Sequence, residues 1–170
     1  MVIWMTGLPG AGKSTLANIL LKQLRNKGLQ SLVLDGDSLR DALQVHRYDS
    51  ESRKKLAFTY ARLSRMFSKQ GSIAICATVS MFDDVRAWNA KHISNYVEVY
   101  IKVPPKVLLQ RNQKNLYSDA EAGSGKNVVG FDIALQEPKA PDLVLMNDGN
   151  VCPESLVDQI FNLIIEKRLP

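Results

Sequence analysis

Short apolar runs alternate along this chain with longer stretches in which apolar residues recur every three or four positions. The runs at 2–6, 31–34, 72–77, 96–103 and 143–146 have the length of buried strands. Between them, Leu16, Ile19, Leu20 and Leu24 share one helix face, and Leu156, Ile160, Leu163 and Ile164 share another near the C-terminus. Both stripes are read as core packing. A third helix is predicted over 50–70, with Ser50 as its N-cap and Gly71 as its stop. Its basic residues Arg53, Lys54, Lys55, Arg62 and Arg65 are compatible with a solvated face. Pro104 and Pro105 fit the first turn of a further helix leading to Arg111. Strands alternating with helices predict an α/β fold with five strands in one parallel sheet.

The least regular stretch is 112–132, where Gly123, Gly125 and Gly130 lie among polar residues. A long irregular segment inside a compact chain is usually a functional loop or a disordered one. The 170 residues, 45% of them hydrophobic, suffice for one sizeable core, so 1–170 is expected to form a single domain. Lysine and arginine number 22 against 17 acidic residues, a formal charge of +5 without a block of like charge. That balance favours phosphate-bearing ligands over nucleic acid. Cys76 and Cys152 have no metal-like spacing to each other or to His46 and His92, and are expected as reduced thiols. No uninterrupted apolar segment is long enough to span a bilayer, and the first residues carry no basic region. A soluble, cytoplasmic protein is therefore expected.

The chemistry begins where the first strand ends. Gly7-Leu8-Pro9-Gly10-Ala11-Gly12-Lys13-Ser14 has the spacing of a P-loop, glycine, four residues, then Gly-Lys-Ser, set between a predicted strand and a predicted helix. Glycines let backbone N–H groups turn inward around phosphate oxygens, and the helix that follows aims its positive end at the same charge. Lys13 is then expected to face the β- and γ-phosphates of ATP, and Ser14 to ligate magnesium, with Thr15 completing the ATP-binding run.

At the end of the second strand, Leu34-Asp35-Gly36-Asp37-Ser38-Leu39-Arg40 brings two carboxylates and an arginine to the carboxyl edge of the sheet. Ligands bind at that edge in open α/β folds. An Asp-Gly-Asp turn alone says little, because these are common turn residues. Beside a P-loop it becomes a candidate for activating a phosphoryl acceptor, whose hydroxyl needs a carboxylate to orient it and take its proton.

With these residues in place the chain resembles the adenylylsulfate kinase family, which phosphorylates the 3′-hydroxyl of adenosine 5′-phosphosulfate. The P-loop, the segment 34–40, the segment 111–117, and Lys126-Asn127-Val128-Val129-Gly130-Phe131-Asp132 followed by Pro138 carry the resemblance along nearly the whole chain. It implies a P-loop NTPase fold of the nucleoside-monophosphate-kinase type, a three-layer α/β/α arrangement with a mobile lid at about 112–132. It implies Asp37 as the base facing the acceptor hydroxyl and Asp35 as support for magnesium. Arg111 would join the ATP-binding set. Arg40 and Arg53 would hold the acceptor's 5′ phosphate groups, and Tyr48, Leu56, Val79 and Ser80 would line the acceptor pocket. Lys126, Asn127 and Val128 would close over the acceptor. Related kinases are commonly dimers, so a homodimer is an expectation of the resemblance alone.

The departures from the family pattern gather on the acceptor side. Leu56 stands where an asparagine is usual, and Val128 where a phenylalanine stacks on adenine. Val79-Ser80-Met81-Phe82-Asp83 replaces an Ile-Ser-Pro-Tyr-Arg segment, and Ser118-Asp119 replaces a basic pair. One stacking face is worth about 1–3 kcal/mol, so the acceptor is expected to differ. A related kinase group phosphorylates the ribose 3′-hydroxyl of cytidine diphosphoramidate in capsule phosphoramidate synthesis, and a smaller pyrimidine suits a pocket that has valine for phenylalanine. Two alternatives stay open at this point. One is the adenylylsulfate reaction itself; the other is a nucleotide-dependent switch or binding module without a small-molecule acceptor.

Overall fold

A computed structural model of the chain describes residues 1–112, 115, 117–118 and 136–167. Its strands are β1 (Val2–Thr6), β2 (Ser31–Asp35), β3 (Ile73–Ala77), β4 (Tyr96–Lys102) and β5 (Leu143–Met146). The helices among the described residues are α1 (Lys13–Asn26), α2 (Gly36–Ala42), α3 (Ser50–Lys69), α4 (Asp83–His92), α5 (Pro105–Arg111) and α6 (Pro153–Glu166). The sheet is parallel throughout, in the order β2-β3-β1-β4-β5.

Strand alternation decides what each face buries. From β1, Ile3 and Met5 enter a cluster with Leu16, Leu20 and Leu24 of α1 and Val157, Ile160 and Ile164 of α6. Trp4, between them, enters a second cluster on the opposite face with Leu56, Ala57, Tyr60 and Ala61 of α3 and Val85 of α4. Helices therefore cover both faces, and β1 and β3, fully buried, read as continuous apolar runs for that reason. Register sets Asp35 beside Ala77, Ala77 beside Met5, and Thr6 beside Tyr100. The carboxyl ends of the strands thus share one edge, where the first two loops meet.

The predicted fold class is the observed one, and the differences are local. The cap of α3 is Asp49, not Ser50: its carboxylate accepts from the Ser52 N–H at 2.9 Å. β2 extends through Asp35, β3 starts at Ile73 and β4 stops at Lys102. Two helices were not expected. α2 buries none of its residues, so no apolar stripe announces it. α4 buries Val85, Arg86 and Asn89, of which only the first is apolar. Pro105 does open α5, and Asn112 closes it in a left-handed conformation. Both cysteines are free, Cys76 buried and Cys152 exposed.

Candidate active site

Residues 7–14 leave β1 at the carboxyl edge and open α1. Gly7 is required by close approach, because a Cβ there would stand 2.5 Å from the Ile101 carbonyl oxygen. Gly12 is the N-cap of α1 in a left-handed conformation, φ 88°, with no side-chain cap. The N–H groups of the first turn are thus left for a ligand in the loop, and no acidic residue of that turn opposes an anion.

Lys13 is expected clear of the core, but it is only 9% exposed. Its Nζ lies against the loop itself, donating to the carbonyl oxygens of Gly7 (2.9 Å) and Leu8 (2.8 Å). Burial pulls its pKa down from 10.5 to about 8, with the negative charges of Asp35 and Asp37 acting in the opposite sense. Ser14 Oγ donates to Asp35 Oδ2 at 2.5 Å. The other carboxylate oxygen of Asp35 caps α2, accepting from the N–H groups of Asp37 (3.1 Å) and Ser38 (3.2 Å). One aspartate thereby ties the second strand's end to the P-loop serine and starts the helix that carries Asp37 and Arg40. Asp37 is exposed. The Ser14 and Asp35 oxygens are hard donors of the kind magnesium takes, and their proximity fits that ion.

The acceptor-side residues follow along α2 and the connection to α3. Arg40 donates to the carbonyl oxygens of Arg47 (2.9 Å) and Val45 (3.5 Å), and its guanidinium lies 4.6 Å from the centre of the Tyr48 ring. Arg53 approaches the same ring at 5.4 Å, and its Nε donates to the Tyr48 carbonyl at 2.7 Å. Tyr48, 49% exposed, is thus flanked by both arginines expected to hold phosphate. Leu56 is placed differently from its expected role: it is 5% exposed and packs in the cluster with Trp4, Leu34 and Tyr60. Tyr60 in turn donates to the Gly36 carbonyl at 3.1 Å, supporting the Asp-Gly-Asp turn from below. Val79 is half-buried, its carbonyl accepting from Thr6 Oγ1 at 2.9 Å, and Ser80 is buried. Lys126, Asn127 and Val128 lie outside the described residues.

Beside the expected Arg111, several residues around the loop escaped the sequence reading. Arg111, expected at ATP, donates to the Gly10 carbonyl (3.1 Å) and to the main-chain oxygen of Asn147 (3.0 Å). Asn147 follows β5 directly and donates to the Ala11 carbonyl at 2.9 Å; the Tyr117 hydroxyl donates to the Pro9 carbonyl at 2.6 Å. The signal available for Asn147 was its place: a polar turn Asn147-Asp148-Gly149 at the carboxyl end of a predicted strand. Arg86, 6% exposed, pairs with Asp83 and with Glu98 (3.3 Å), and donates to the Gln136 carbonyl at 2.9 Å. Burial pushes the Glu98 carboxyl up to about 7, against the pull of Arg86. Arg86 thereby holds the chain at 136–137 to the start of α4, and no periodicity marks it.

Comparison with known proteins agrees with this geometry. The model of the adenylylsulphate kinase family matches residues 1–146. The cytidine diphosphoramidate kinase of Campylobacter jejuni is 39% identical over 166 residues, which is 98% of this chain and 95% of that protein. A probable adenylyl-sulfate kinase of Archaeoglobus fulgidus is 38% identical over 150 residues, 88% of this chain and 97% of that one. Among solved structures, the Mycobacterium tuberculosis APS kinase CysC in complex with AMPPNP and APS superposes with a TM-score of 0.88 at 28% identity, covering 95% of each chain.

Proposed function

Because the chain belongs to the adenylylsulphate kinase family and is an ATP-dependent phosphotransferase, we propose that its acceptor is a cytidine-bearing nucleotide diphosphoramidate, phosphorylated at the ribose 3′-hydroxyl. The observation that carries the acceptor class is the 39% identity to a cytidine diphosphoramidate kinase along 98% of the chain. The departures at Val128 and at 79–83 support it, because they fall on the acceptor side and leave the P-loop unaltered. Family membership sets aside the switch or binding-module alternative.

In this reading residues 7–14 surround the triphosphate, Lys13 turns from the loop carbonyls to the β- and γ-phosphate oxygens, and Arg111 lies over the nucleotide side of the loop. Asp37, exposed at the start of α2, orients the acceptor hydroxyl and takes its proton as the phosphoryl group arrives. Arg40 and Arg53 meet the 5′ phosphate portion, and Tyr48 between them offers a face to the base. Lys126, Asn127 and Val128 close the acceptor's other side. Ser14 and Asp35 would hold magnesium, which when bound offsets charge on the β- and γ-phosphate oxygens. Among the described residues no helix is long and apolar enough to cross a membrane, and a cytoplasmic location fits the ATP requirement.

A second reading keeps adenosine 5′-phosphosulfate as the acceptor, favoured by the superposition on a kinase solved with APS. An ATP-consumption assay offering both acceptors side by side separates the two. The proposal expects the larger kcat/KM for cytidine diphosphoramidate. Efficient turnover of adenosine 5′-phosphosulfate with none of the cytidine acceptor establishes the second reading instead.

A further inference from the structure

Every peptide carbonyl from Gly7 to Ala11 accepts a hydrogen bond. Lys13 takes those of Gly7 and Leu8, the Tyr117 hydroxyl that of Pro9, Arg111 that of Gly10, and Asn147 that of Ala11. The last three donors come from after α5, from its last residue and from the end of β5, so the outer rim of the loop is gripped by elements far from it in sequence. A peptide unit is planar, and in its trans form the C=O of one residue points opposite to the N–H of the next. Anchoring a carbonyl outward therefore turns the following amide inward.

The three outer anchors are not equivalent. The Ala11 N–H, which follows the Gly10 carbonyl, closes a turn onto the Leu8 carbonyl at 3.1 Å. The Pro9 and Ala11 carbonyls are followed instead by the Gly10 and Gly12 N–H groups, which peptide planarity turns away from the two anchors. Both anchors are well founded. Tyr117 is buried, and Asn147 is itself held by its N–H to the Lys102 carbonyl at 2.9 Å and by Arg111 at its own carbonyl. A Cβ on Gly12 would stand 2.6 Å from Asn147 Nδ2, so glycine at this position also makes room for the amide that grips the loop.

We propose that Asn147 and Tyr117 are positioning residues for ATP: they hold the Ala11 and Pro9 carbonyls outward, so that the Gly12 and Gly10 amides face the triphosphate before it binds. This rests on residues 7–14 being the ATP-phosphate site. Preset donors cost little ordering when the ligand arrives, which is where affinity is gained. The role involves neither base nor acceptor, and that makes it separable from a direct contact.

The test measures binding of ATP and of inorganic tripolyphosphate, each with magnesium, by calorimetry, together with the KM of the acceptor. Asn147→Ala and Tyr117→Phe should each weaken ATP and tripolyphosphate by the same factor, about two- to tenfold, the range for one hydrogen bond. Asn147→Asp, which sets an acceptor against the Ala11 carbonyl, should weaken both further. Acceptor KM should hold, and thermal melts should show folded protein. Tyr117→Phe keeps the packed ring and loses only the hydroxyl, so it carries the test if the Asn147 variants do not fold. Loss of ATP affinity with tripolyphosphate unchanged would make these residues nucleoside contacts and overturn the proposal, as would unchanged affinity for both ligands. Lys13→Ala serves as the control. If it too leaves tripolyphosphate binding unchanged, the loop is not the phosphate site, a failure distinct from that of the anchors.

Discussion

The two halves of the site are built from different materials. On the proposed ATP side the loop is main chain whose carbonyls are anchored by Lys13, Arg111, Tyr117 and Asn147, and the charged lysine is buried. On the acceptor side the corresponding groups are side chains near solvent: Asp37 is exposed, Tyr48 is 49% exposed, and Arg40 and Arg53 bond the connector they would later leave or share. A main-chain cradle cannot be altered by substituting one residue without disturbing the strand and helix that frame it. A pocket of side chains on α2, on the 43–49 connection and on α3 can be rewritten position by position at little cost to the fold. That difference accounts for a P-loop that keeps its full pattern beside an acceptor side that departs from the family at several places. Leu56 marks the boundary, because it is buried with Trp4 and Tyr60 and a polar replacement there would answer to the core before any ligand.

The sharpest way to break the comparison is at Lys13. Lys13→Ala should lower turnover by about 10²–10³-fold through lost charge stabilisation, and because it also takes the lysine away from the Gly7 carbonyl, while Leu8 keeps the Ala11 N–H, it should cost about 1–3 kcal/mol in stability. Turnover measured with thermal melts checks both parts; a normal rate in a folded variant removes the P-loop lysine from the mechanism. Next comes Asp37→Asn, expected to lower kcat about 10²-fold by removing the proton acceptor while ATP affinity stays unchanged. A fall in ATP affinity instead would move Asp37 to the donor half. Asp35→Asn should differ in kind, raising the magnesium needed for half-maximal rate and, by weakening the α2 cap, lowering the melting temperature.

Within the acceptor half, Tyr48→Ala should raise acceptor KM by about tenfold to a hundredfold, the worth of one stacking face, with ATP KM unchanged. Val128→Phe should shift the ratio of specificity constants toward the adenine acceptor by about 1–3 kcal/mol, again one face. The smallest effect near neutrality is that of pH. Burial holds the free enzyme's Lys13 pKa at about 8, and the charged form exists below that value. The kcat/KM for ATP should therefore be level toward neutral pH and fall about tenfold per unit above pH 8, while kcat, measured with phosphate already beside the lysine, falls only at higher pH. Coincident profiles for the two parameters would mean that bound nucleotide does not stabilise the lysine charge.

Much of this protein was written locally. The alternation of apolar runs and helical stripes determined five strands, the long helices and a parallel sheet, because strand and helix periods depend only on which positions must face away from water. The spacing from Gly7 to Ser14 determined the phosphate loop, because that conformation needs glycine at set offsets and a helix to follow. Asp35 and Asp37 were readable as a pair because they sit in one turn. Tertiary structure alone decided which side chains grip that loop from outside. Asn147 and Tyr117 reach Ala11 and Pro9 across 136 and 108 positions of chain, a pairing that no local pattern encodes. It also decided that Leu56 packs in the core, that Asp35 divides its oxygens between Ser14 and the α2 cap, and that Arg86 meets Glu98 from another element. In each case the deciding force is the cost of leaving a polar or apolar group unmatched once it is buried, and which groups become neighbours is settled only when the sheet has assembled.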